Sequence, residues 1–150
     1  MVTVPRKNFI FSVPKQIESS RDHQQYLDEA AEYCSMPYRA PELFTCDIGT
    51  TITEKIDIWS IGCCIYAFCY FSSPFDAIYE QGNSIALAAQ SPEKIQHPPG
   101  APFSDEIKTL MRDALVVNPE DRPNLDEILE RCQLLFETEK PPVNDDLVTV

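Results

Sequence analysis

The sequence predicts a mainly α-helical fold, and three observations predict it. Several segments carry apolar residues at helical spacing behind capping signals, the longest apolar run has the length and flanks of one buried helix, and strand-type alternation is almost absent beyond the first seventeen residues. At 150 residues the chain is about one domain long and can bury a core. Asp+Glu 24 against Lys+Arg 12 gives a formal charge of −12, so a polyphosphate surface is repelled on average and generic nucleic-acid binding is disfavoured.

The elements follow in order. Residues 1–17 hold the apolar stretch Asn8-Phe9-Ile10-Phe11 between Pro5 and Pro14 and read as a leader, either a strand or disordered. Ser19 and Asp22 are spaced as a capping box, and Leu27, Ala30, Ala31 and Cys34 recur at helical spacing, which predicts a helix over about 21–33. The proline-bearing stretch Ser35–Pro41 ends it, Glu42–Thr45 is a further turn of helix, and a loop through Gly49 leads to the strongest element. From Ile56 to Phe71 there is almost no polar face, so the helix predicted here must be surrounded by protein.

Beyond Ser72-Ser73-Pro74 a short helix is expected near 83–90, then a loop crowded by Pro92, Pro98, Pro99 and Pro102. Ser104 caps the next helix, with Asp105 and Glu106 at its dipole-favoured start and Ile107, Leu110, Met111 and Ala114 as its stripe. Asn118–Asp121 is a turn. Asn124 and Glu127 cap a last helix whose stripe is Leu125, Ile128, Leu129, Cys132, Leu135 and Phe136, and an acidic, loose tail follows over 137–150.

Six cysteines lie mostly in apolar runs without a Cys-x-x-Cys pair, and His23 and His97 are distant in sequence, so no metal site is expected and the thiols read as free in a reducing, intracellular compartment. The run Ile61–Phe71 is shorter than the roughly 20 residues a bilayer core requires, Val2 stands where N-myristoylation needs glycine, and the end is no prenylation box. Direct membrane insertion is not expected.

Three segments in this order resemble the C-terminal lobe of a eukaryotic serine/threonine protein kinase: Ser35-Met36-Pro37-Tyr38-Arg39-Ala40-Pro41-Glu42, Asp57-Ile58-Trp59-Ser60-Ile61-Gly62-Cys63, and Asn118-Pro119-Glu120-Asp121-Arg122-Pro123. The stretches Ala30–Phe44 and Tyr79–Ala88 are similar to the Numb-associated kinase family, and within it to the myristoylated and palmitoylated branch. The resemblance implies an activation-segment-like region over 18–45 and C-lobe helices over 46–136. It also implies a cytoplasmic chain, at most peripheral to endomembranes.

The resemblance assigns roles residue by residue. Ser35, Tyr38 and Arg39 would position substrate, with the Ser35 hydroxyl bonding the catalytic aspartate and its lysine partner; the plainer alternative for Ser35 is a helix-terminating turn. Ala40, Pro41 and Glu42 form the structural motif, and Glu42 would pair with Arg122 as a buried bidentate ion pair. Asp57 would accept the backbone N–H groups of the catalytic loop, Trp59 and Gly62 complete that motif, and Trp59 reads as core. Ser19, Ser20, Tyr26 and Ser35 are phosphorylation candidates.

The parts that carry phosphoryl transfer are not in the sequence. Its glycines, Gly49, Gly62, Gly82 and Gly100, build no phosphate-covering loop, and there is no lysine strand, catalytic loop or Asp-Phe-Gly; Arg21-Asp22-His23 cannot replace them. The expected fold is therefore an incomplete kinase-like C-terminal lobe without the N-terminal β lobe and catalytic loop, in which the apolar helix at 56–71 keeps an exposed patch. No catalytic residue is present, and ATP and magnesium are expected only for a complete kinase. Two functions follow: a partial serine/threonine kinase domain supplying the substrate platform, with protein substrates or a complementing kinase region as partners, or a non-catalytic interaction module. On either, the chain alone has no phosphotransferase activity.

Overall fold

The computed structural model describes residues 14–45, 47–98 and 102–138, and it is mainly helical. Two two-residue strands, β1 (Lys15–Gln16) and β2 (Thr51–Ile52), pair antiparallel with Lys15 opposite Ile52. The end of the expected leader thus joins the fold, and Ile17 just after β1 is fully buried. Gly49 (φ 96) closes the return to β2, donating its N–H to the Ile17 carbonyl at 2.8 Å in a backbone conformation that costs other residues strain. The stretch Asn8–Phe11 and the tail beyond 138 lie outside the described residues.

Helix α1 (Ser20–Tyr33) starts where the capping signal placed it. The Ser19 hydroxyl accepts the Asp22 N–H at 3.2 Å and donates to the Asp22 carboxylate at 2.8 Å. The helix buries Tyr26 and Ala30 against α2 (Glu42–Thr45), whose Leu43 is 2% exposed. A 3-10 turn, Met36–Tyr38, links the two.

Helix α3 (Lys55–Tyr70) is the axis of the molecule. Trp59 and Cys63 are inaccessible to solvent and join Ile17, Tyr26, Leu43 and Phe75 in the main core, while Ile58 packs with Leu110, Ala114 and Ile128 in a second cluster. Enclosure is incomplete, and the helix keeps the exposed patch that its sequence predicts. Phe68 and Phe71 are 83% and 95% exposed and Cys64 is exposed, because the described helices cover the faces that hold Trp59, Cys63 and Ile58 and leave open the one that holds Cys64 and Phe68. Phe71 ends α3 in the left-handed region (φ 60), a conformation that costs a non-glycine residue about 1–2 kcal/mol.

The sequence reading lacked α4 (Asp76–Glu80), which the Asp76 carboxylate anchors by accepting the Ser73 N–H at 2.6 Å. Gly82 (φ 70) closes α4, with the Asn83 N–H on the Ile78 carbonyl and the Gly82 N–H on the Tyr79 carbonyl. Helix α5 (Ile85–Ala88) is shorter than expected and capped by Ser84. α6 (Asp105–Ala114) buries Leu110, Met111 and Ala114 against α3, but the Ser104 hydroxyl makes no cap; it is buried with no hydrogen-bond partner among the described residues.

The last helix, α7 (Leu125–Thr138), opens with both halves of a capping box: the Glu127 N–H donates to Asn124 at 2.9 Å and the Asn124 N–H to Glu127 at 2.7 Å. Its expected apolar stripe is only partly covered. Ile128 is buried and Leu135 packs on the second cluster, whereas Leu125 and Leu129 are each 51% exposed and Phe136 is 69% exposed. No described helix is long and apolar enough to cross a membrane.

Candidate functional site

The site is built where the loop after α1 lies across the first half of α3. Ser35 is exposed at its start, with its carbonyl accepting the Tyr38 N–H at 3.0 Å and no side-chain hydrogen bond among the described residues. Tyr38 is half-buried beside it, and burial, then the Asp76 carboxylate, push its phenol up from the usual value. Arg39, expected at the substrate face, is turned inward and 8% exposed. Its Nη2 donates to the Ala30 and Cys34 carbonyls at 2.8 and 3.0 Å, tying off the end of α1, and its guanidinium lies 5.4 Å from the Phe44 ring. Arg39 therefore shapes the loop rather than facing outward.

Ala40 and Pro41 are buried, and Glu42 follows them into the pair that fastens the loop. Arg122 Nη1 and Nη2 donate to the two Glu42 carboxylate oxygens at 2.7 and 2.8 Å. The same guanidinium donates to the carbonyls of Lys55 (2.7 Å), Val116 (2.7 Å) and Val117 (3.0 Å), which uses all five N–H groups of arginine. Its planar head lies 5.2 Å from the Trp59 ring, which stacks on Phe75 at 6.0 Å. One buried cation thus joins the loop, the start of α3 and the turn before α7.

Lys55, Ser60 and Ser73 complete the support, and sequence reasoning missed all three. Lys55 Nζ donates to the Arg122 carbonyl at 2.6 Å, Ser60 Oγ to the Tyr38 carbonyl at 3.1 Å, and Ser73 Oγ to the Pro37 carbonyl at 3.3 Å. Each is an ordinary polar residue whose partner is 22 to 67 residues distant, so no local pattern announces it.

Asp57 projects from the first turn of α3. Its carboxylate accepts no hydrogen bond among the described residues, and burial, with Glu54 adding like charge, holds its pKa above the ordinary carboxylate value. Gly62 lets α6 approach closely: a Cβ there would lie 2.9 Å from that of Ala114. Of the modification candidates, Ser19 caps α1, Ser20 is exposed beside it, and Tyr26 is 1% exposed in the core, so the folded chain withholds Tyr26 from modification. No group of three His, Cys, Asp or Glu side chains able to hold a metal ion occurs among the described residues.

A protein kinase domain model matches residues 11–132. The chain is 35% identical to serine/threonine-protein kinase 16 of Mus musculus over 120 residues, covering 80% of this chain and 39% of that protein. It is 34% identical to the Homo sapiens form over 119 residues, covering 79% and 38%. Against serine/threonine-protein kinase ppk13 of Schizosaccharomyces pombe it is 41% identical over 107 residues, covering 71% and 31%. The chain belongs to the protein kinase domain family, with serine/threonine kinases as relatives, and spans less than two fifths of their length, 39% at most.

Proposed function

We propose that this chain supplies the substrate-binding platform of a serine/threonine protein kinase domain, as the C-lobe from the activation segment onward. The same reading places it in the Numb-associated family, in the myristoylated and palmitoylated branch, and in the cytoplasm. The observation that carries it is the Glu42–Arg122 pair, which fixes the loop 35–41 across α3 with Ser35 outward. The Asp57 carboxylate, without a hydrogen bond among the described residues, and the exposed Phe68 face support a complementing kinase region as a partner, because a half-buried carboxylate and an apolar helix face both gain from being covered.

The residues of this chain do not fit a nucleotide site. Its glycines sit apart, at 49, 62, 82 and 100, and no described acidic cluster could hold magnesium, so no step of phosphate transfer is assigned to them. Their role is positional: the outward Ser35 hydroxyl and Tyr38 border the place of an acceptor peptide, while Arg39, Glu42 and Arg122 keep that border rigid.

Thermal unfolding with and without Mg-ATP tests the first half of this reading, since a ligand of the folded state raises its melting temperature. The expected result is no shift at millimolar nucleotide, and a clear upward shift would overturn the assignment. A chimera joining the upstream part of the mouse relative ahead of residue 14 tests the second half. It should phosphorylate serine or threonine of added protein; a folded, nucleotide-binding chimera without transfer would favour the non-catalytic interaction module.

A further inference from the structure

A groove of about 1170 Å³ lies between the end of α3 and the α4–α5 pair. Its floor is Phe75 and the half-buried Ile78, and its mouth carries Phe71 and Leu87, which are 95% and 74% exposed. Phe71 is held there in left-handed backbone, where glycine would relieve both the strain and the exposed ring. The polar lining is uneven: Asp76 and Glu80 of α4 and Lys94 contribute to it, leaving a net charge of −1, and Glu80 and Lys94 form no ion pair among the described residues.

The groove is continuous with the loop of the candidate site. Ser73, on its wall, donates its hydroxyl to the Pro37 carbonyl, and Asp76 lies close enough to Tyr38 to raise its pKa. We propose that this groove docks a second, basic and apolar segment of the protein substrate, away from the phosphoacceptor. Its apolar side chains fill the Phe71–Leu87 mouth, and its arginine or lysine lies along Asp76 and Glu80. The sign agrees with the formal charge of −12, which attracts cationic partners. Calling the occupant a substrate rests on the proposed kinase reading, whereas the groove as a peptide site does not.

The test is direct binding to the whole chain, followed by fluorescence anisotropy of a fluorescein-labelled octapeptide alternating arginine with leucine and phenylalanine. Saturable binding is expected, weakened at least tenfold by Phe71→Gly, by Leu87→Ser and by Glu80→Lys, and by glutamate in place of the peptide's arginine. Phe71→Gly should melt at or above the parent temperature, so its effect cannot be ascribed to unfolding. Absence of saturable binding, equal binding by all variants, or equal binding of the acidic peptide overturns the proposal. So does a concentration-dependent dimer in sedimentation that Phe71→Gly disperses, which makes a second copy the occupant. In the chimera described above, the same variants should raise KM for an arginine- and leucine-rich substrate tenfold with kcat within twofold. Transfer with unchanged KM sinks the groove, whereas absence of transfer alongside groove-dependent binding sinks the kinase reading alone.

Discussion

Arg122 grips both carboxylate oxygens of Glu42 across 80 residues of sequence, at 2.7 and 2.8 Å, with its own side chain wholly shielded from solvent and that of Glu42 10% exposed. The pair is a hinge pin between the loop 35–41, the start of α3 and the turn before α7. Its contribution is geometric more than energetic, since the desolvation of two buried charges offsets most of their attraction.

Arg122→Met should destabilise the chain by about 3–5 kcal/mol, because it takes the buried guanidinium from the Glu42 carboxylate and from three backbone carbonyls. Glu42→Leu combined with Arg122→Met should cost clearly less than the two single changes added together. Urea unfolding of the four proteins measures this, and strict additivity would show that the pair is not coupled.

Gly62→Ala should cost about 1–3 kcal/mol, because the new methyl meets Ala114 Cβ at 2.9 Å and Leu115 Cγ at 3.0 Å in the α3–α6 contact. Ala114→Gly in the same chain should recover part of the loss. A Gly62→Ala protein with an unchanged melting temperature would mean that α6 yields to the added methyl without cost.

Asp57 makes a pH prediction whose sign is opposite to that of a salt-bridged carboxylate. Its folded pKa is raised, by burial first and by Glu54 second, so the folded chain binds this proton more tightly than the unfolded one. Its contribution is favourable at acid pH and is lost as pH rises from the unfolded value of about 3.9 through the raised folded value. Asp57→Asn should therefore leave the isolated chain at least as stable at pH 7, with the difference from the parent shrinking toward pH 4. A lower melting temperature for Asp57→Asn at pH 7 would reveal a partner for this carboxylate in the chain itself.

The adjacent thiols of Cys63 and Cys64 should react oppositely. Cys63 is inaccessible and burial pushes its pKa far up, while Cys64 is exposed on the uncovered face of α3. Brief alkylation of the native chain with iodoacetamide, read by peptide mass spectrometry, should label Cys64 and spare Cys63. Equal labelling would mean that α3 opens on the timescale of the reaction.

The sequence by itself determined the elements whose causes are local. Ser19 with Asp22 and Asn124 with Glu127 are caps within three residues, so α1 and α7 could be placed from spacing, and the apolar run fixed α3 to within a residue or two at either end. The motif residues Ala40 to Glu42, Asp57, Trp59, Gly62 and Arg122 were legible as a set because their types and separations form a pattern. Tertiary structure alone decided what depends on distant partners. It turned Arg39 inward onto the Ala30 and Cys34 carbonyls, buried Tyr26, and set Lys55, Ser60 and Ser73 as props of the loop. It likewise decided which faces of α3 are covered, those of Trp59, Cys63 and Ile58, and which residues make up the exposed patch, Phe68 and Phe71 among them. Hydrophobic periodicity records which residues can be buried, but burial needs a second surface, and that surface belongs to residues that no local window contains.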